Sequence, residues 1–140
     1  MEEELDEIKC FKINGEYLYL NKVLVDNGDY PLLFVCTDTE GSYYLCMLSN
    51  PTDMMYLVKK CTKPSYISDM ILGEISLRDI WWWIDTDAEL YKVYSDSVIE
   101  NDRVIAVNIV DIENKELPED SNYIIPNSEI KEYAEFLAKL

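Results

Sequence analysis

Two short apolar segments, Leu32 to Thr37 and Ser42 to Leu48, flank the turn-forming run Asp38-Thr39-Glu40-Gly41, and this arrangement constrains the fold more than any other feature of the chain. It reads as a β-hairpin. Leu33 and Val35 alternate with Leu32, Phe34 and Cys36, so the hairpin is apolar on both faces and belongs at the centre of a sheet covered on both sides. Upstream, Tyr17, Tyr19, Val23 and Val25 predict a strand over Glu16 to Val25, bent near Asn21, entered from the Asn14-Gly15 turn and closed by Asp26-Asn27-Gly28-Asp29. Asn50-Pro51-Thr52-Asp53 marks the next turn and Met54 to Lys60 a further strand, so the sheet has at least four strands.

Helices follow. Thr62 is placed to cap a short helix with Pro64 in its first turn, Ile67, Met70 and Ile71 on one face, and Gly73 at its end. Ser76-Leu77-Arg78-Asp79 is a capping-box variant and opens a second helix carrying Trp81, Trp82 and Trp83. Asp85 to Glu89 then forms an acidic turn, with strands expected at Leu90 to Tyr94 and at the β-branched Val104 to Val110. Glu113 to Ser121 reads as a loop. Asn127 or Ser128 caps a C-terminal helix whose Ile130, Tyr133, Ala134, Leu137 and Leu140 recur at helical spacing and face the sheet. The expected fold is α+β: a single domain over residues 1–140, mostly antiparallel sheet, with two short central helices and a C-terminal helix packed on it. Residues 1–7 are expected to fray.

The chain carries 28 acidic residues against 12 basic ones and no histidine, a formal charge of −16. Such a field repels nucleic acid and anionic membrane and attracts basic surfaces over about 8 Å at physiological salt. Hydrophobic residues at 49 % still suffice for a packed core. No apolar run approaches the ~20 residues of a membrane-spanning helix. The acidic start Met1-Glu2-Glu3-Glu4 is the opposite of a secretory leader, which implies a cytoplasmic location. Cys10, Cys36, Cys46 and Cys61 lack C-x-x-C spacing and read as buried free thiols, with Cys36 and Cys46 the best-placed pair for a disulfide.

Without histidine, every His-dependent triad and every zinc site with histidine ligands is excluded. No enzymatic activity, cofactor or metal is expected. Asp85, Asp87, Glu89 and Asp96 match positions 1, 3, 5 and 12 of a calcium loop, but Leu90 stands where glycine is needed and Asp96 where a longer glutamate binds bidentately. Three adjacent tryptophans on a helix point about 100° apart, so they cannot all face one core. At least one is expected to be partly exposed, either covering a seam or the end of the sheet while two fill the core, or serving as an aromatic anchor at a protein interface.

Acidic residues cluster at Glu2, Glu3, Glu4, Asp6 and Glu7, at Asp85, Asp87, Glu89, Asp96, Glu100 and Asp102, and at Asp111, Glu113, Glu116, Glu119 and Asp120. Acids two apart on a strand lie about 7 Å from each other on one face, close to the spacing of successive phosphates. The expected partner-binding residues are Asp85, Asp87, Glu89, Asp96, Glu100 and Asp102 with Trp81, Trp82 and Trp83. Lys59, Lys60 and Lys63 form the one basic patch and are expected to pair with nearby acids.

The strings Gly41-Ser42-Tyr43-Tyr44-Leu45-Cys46, Tyr56-Leu57-Val58 and Ile71-Leu72-Gly73-Glu74-Ile75-Ser76-Leu77-Arg78-Asp79 resemble a pattern in small uncharacterised bacterial and phage proteins. The resemblance covers roughly residues 17–83 and implies a shared domain without a mechanism. In composition only, the chain also resembles the phage inhibitors of host nucleases that include anti-CRISPR proteins. The functional expectation is therefore a non-enzymatic acidic module, a nucleic-acid mimic occupying a basic protein surface such as the groove of a host nuclease or CRISPR effector. An antitoxin or immunity partner of a basic toxin, and a carboxylate-dependent hydrolase, are the alternatives.

Overall fold

The computed structural model describes residues 8–26, 28, 31–95, 103–117 and 126–140. Seven antiparallel strands follow one another in chain order across a single sheet: β1 (Lys9–Ile13), β2 (Glu16–Asp26), β3 (Pro31–Thr37), β4 (Tyr43–Asn50), β5 (Met55–Cys61), β6 (Leu90–Tyr94) and β7 (Arg103–Ala106). The β3–β4 hairpin pairs Leu33 with Met47 and Thr37 with Tyr43. Strand β1 is an addition to the sequence reading, which placed no strand before Glu16; its five residues are too few, and too mixed in polarity, to stand out locally. The predicted bend near Asn21 is present as a register shift between Leu20 and Lys22.

The alternation in β3, β4 and β5 separates two cores. Leu33, Val35, Leu45, Met47, Met55 and Leu57 point to one face and pack beneath the helices. Phe34, Cys36, Tyr44, Cys46, Leu48, Tyr56 and Val58 point to the other, together with Phe11, Leu18, Tyr91 and Val93. Among the described residues no helix covers this second face. The sheet curls over this face instead, in a near-barrel, so that β1 closes towards β5 and β6 from the far side of the sheet. Both faces are thereby dry, which is why the hairpin is apolar throughout.

Between β5 and β6 stand α1 (Pro64–Ile71) and α2 (Leu77–Trp82); α3 (Ser128–Ala138) follows near the C-terminus. Lys63, with no side-chain cap bond, precedes α1 in place of the expected Thr62, whose N–H and hydroxyl are turned instead to Asp85. Gly73 ends the segment with φ of 82°, a left-handed conformation that would strain any residue with a Cβ, and donates its N–H to the Met70 carbonyl. Ser76 caps α2 as its sequence predicts, its Oγ accepting from the Asp79 N–H at 2.9 Å. Asn127 is the α3 cap, accepting from the Ile130 N–H at 2.8 Å.

Helix α3 buries Ile130, Ala134 and Leu137 and has α1 as its main neighbour. It is tied to β2 by a Lys22–Glu129 ion pair and by the Tyr133 hydroxyl on Asn21. Leu140, expected to face the sheet, is exposed, because the helix ends two residues before it. The strand expected over Val104 to Val110 stops at Ala106. A 3-10 turn over Ile109–Asp111 replaces its second half, held by the Asp111 carboxylate accepting from the Asn108 N–H at 2.8 Å. Another 3-10 turn, Asn114–Glu116, falls in the predicted loop. The expectation for residues 1–7 lies outside the described residues. Among the described residues no helix is long and apolar enough to cross a membrane.

Candidate interaction site at the acidic rim

An antiparallel meander brings alternate connections to the same end of its sheet. Here the β1–β2 turn, the β3–β4 turn and the β5–β6 connection share one rim, as the pairings Ile13 with Glu16, Tyr43 with Cys61 and Lys59 with Leu90 require. Those three segments carry Glu16, Asp38, Glu40, Asp85, Asp87 and Glu89. Six carboxylates far apart in sequence therefore gather at one end of the near-barrel.

The mouth of the curled sheet opens within this rim as a recess of about 200 Å³, lined by Glu16, Asp38, Glu40, Glu89, Tyr44 and Tyr91 with Asn14 and Lys60. Asp38 is its most buried acid, at 8 % exposure, and its carboxylate accepts from the Glu40 N–H at 3.0 Å, the Ser42 N–H at 2.9 Å and the Tyr44 hydroxyl at 3.1 Å. An aspartate opening a tight turn bonds the backbone ahead of it in this manner. Burial, and then the Asp38 charge, push the Tyr44 phenol well above its ordinary range. Glu89 accepts from the Tyr91 hydroxyl at 2.6 Å, and Asn14 donates to that hydroxyl at 3.1 Å. Burial first, and this bond to Glu89 second, raise Tyr91 to about 12.

Among the described residues Lys60 is the one cation lining the recess, 3.9 Å from Glu89. Lys63, by contrast, lies over the Tyr66 ring. Lys59, expected to pair with an acid, is instead buried at 2 % exposure and donates to two backbone carbonyls, those of Ile80 at 2.7 Å and Ile84. Other cations are engaged away from the recess: Lys92 with Glu116, Lys115 with Glu113, Lys9 over Tyr17, and Arg103 over Tyr94. Four carboxylates facing one ammonium across a concave surface favour a cationic group from outside.

The predicted partner-binding residues divide. Glu89 lines the recess, whereas Asp87, also exposed, lines a separate recess with Lys59, Trp81 and Asn108. Asp85 is on the rim but internally engaged, its Oδ2 accepting from the Thr62 N–H at 2.8 Å and the Thr62 hydroxyl at 2.7 Å. Asp96, Glu100 and Asp102 lie outside the described residues. Trp81 is fully buried in the helix-covered core, which removes it from any contact surface; its indole N–H has no hydrogen-bond partner among the described residues. Trp82 is half-buried under the Arg78 guanidinium, 4.8 Å from the ring centroid. Trp83, 71 % exposed, is the aromatic that α2 leaves outside.

Glu16, Asp38 and Glu40 fall outside every acidic cluster of the sequence and are not legible as site residues from charge runs. Their signal was subtler: acids beside glycine-containing turns at alternate connections of a meander, which converge in space. Among the described residues no group of three or more histidine, cysteine, aspartate or glutamate side chains is placed to hold a metal ion. The cysteines are free thiols, with Cys36, Cys46 and Cys61 buried and Cys10 half-buried. Comparison with protein families, with curated proteins and with solved structures found no match for this chain.

Proposed function

We propose that this chain is a non-enzymatic acidic binding module whose carboxylate rim occupies a basic surface of another protein. The observation that supports this reading most is the convergence of Glu16, Asp38, Glu40 and Glu89 on one concave recess. A net charge of −16 adds long-range attraction and speeds encounter with a cationic partner. Trp83 supplies an exposed aromatic two residues from Asp85, suited to arginine by cation–π contact.

A nucleic-acid enzyme is the preferred target, because its substrate groove is already basic and its arginines and lysines are spaced for phosphates. In this reading the protein acts as an inhibitor of the anti-CRISPR kind, competing with polyanion for the groove. Capture from a bacterial lysate at low salt, with elution by rising salt, tests it. The identified partner should then associate several-fold more slowly with the E16Q/E40Q/E89Q variant. Association that is unchanged between low and high salt would sink the reading.

A further inference from the structure

We propose that Lys59 and Asp85 are positioning residues, a two-point clamp that holds the C-terminal end of α2 against β5 so that Trp83 and the rim carboxylates form one contiguous binding surface. The inference rests on the rim being the binding face. Helix α2 has six residues, too few to be stable alone, and its C-terminal carbonyls need donors. Lys59 provides them from within the core, bonding the Ile80 and Ile84 carbonyls that bracket Trp83 in sequence. One residue later the chain turns sharply at Asp85, whose φ of 58° is left-handed, and the Asp85 carboxylate is locked by two donors from Thr62, the residue that follows β5.

The segment 80–85 is thus fastened to one strand end at both its sides. Trp83 lies between the two fastenings with its side chain in solvent. A buried ammonium is costly to desolvate, and burial does hold Lys59 below its ordinary pKa. A methionine of similar length would fill the same space without that cost. The positive charge gains its use from the two carbonyls that only a multivalent donor satisfies.

The test is a double-mutant cycle read with a fluorescein-labelled nona-arginine peptide as the probe. In the otherwise native protein, W83A should weaken peptide binding about threefold to fivefold through loss of cation–π contact. In a K59M background the same W83A change should alter binding less than about 1.5-fold, with folding of each variant checked by its thermal melt. If W83A costs the same in both backgrounds, the clamp is overturned while the binding reading stands. If neither W83A nor E16Q/E40Q/E89Q weakens binding in the native background, the binding reading falls and the clamp with it. Should K59M fail to fold, T62V deletes one of the two donors to Asp85 and carries the same comparison.

Discussion

Phe11 on β1 and Tyr56 on β5 meet edge to face with ring centroids 5.2 Å apart, although three strands lie between them in the sheet. Four strand spacings in a flat sheet amount to about 19 Å. The contact therefore measures the curl directly, and Phe34 completes the cluster at 6.0 Å from Phe11 and 5.9 Å from Tyr56. The curl makes the inner core and, at its mouth, the acidic recess.

Phe11 should accordingly be worth far more to stability than its place near the chain start suggests. F11A leaves a cavity between β1 and β5 and is expected to cost about 3–5 kcal/mol in urea unfolding. F136A, at a side chain 52 % exposed on α3, serves as the comparison and should cost under about 1 kcal/mol. Equal effects of the two changes would mean that the sheet is not closed by this contact.

Asp38 organises the β3–β4 turn rather than merely adding charge. D38A leaves two backbone N–H groups and the Tyr44 hydroxyl without their acceptor and should destabilise by about 2–3 kcal/mol. D38N retains an amide oxygen for the N–H groups and should cost less. Adding Y44F to D38A should recover part of the loss, since the orphaned hydroxyl is removed. A D38A variant more stable than the native chain, through relief of charge repulsion alone, would contradict the structural role.

Alkaline pH should destabilise the protein through its buried tyrosines and thiols. Tyr91 is raised from 10.0 to about 12, and burial likewise raises Tyr44 and Tyr133. Between pH 10 and about 12 the unfolded chain has released the Tyr91 proton while the folded one keeps it, so stability falls as pH rises through that window. Lys59 has the opposite sign: its lowered folded pKa means that the unfolded chain binds more protons below 10.5, which favours folding as pH rises. Burial also raises the Cys46 and Cys61 thiols above 9.0, which adds to the fall; together these groups outweigh Lys59, and urea midpoints should drop as pH rises above 9.0, with a shallower drop in Y91F. Midpoints flat from pH 10 to 12 would refute this.

Local chemistry wrote much of the fold legibly. The β3–β4 hairpin, the Ser76 and Asn127 caps and the Gly73 stop depend on residues within four positions of one another, so their signals survive in one dimension. Thr62 shows the limit. Its position before Pro64 is that of a cap, yet a carboxylate 23 residues away takes both its donors. Lys59 is similar, since nothing in Val58-Lys59-Lys60 distinguishes the lysine that points into the core from the one that points to the rim, other than the period of two along β5.

The sequence by itself determined an acidic, histidine-free α+β domain with an apolar central hairpin, and it required one of three successive tryptophans to stay outside. Only the tertiary structure decided that this one is Trp83, that the sheet covers its own second face, and that turn acids as distant as Glu16 and Glu89 line one recess. The physical reason is that pattern and capping act over a few residues, whereas curvature and convergence arise when all seven strands pair at once and the two apolar faces must both leave water.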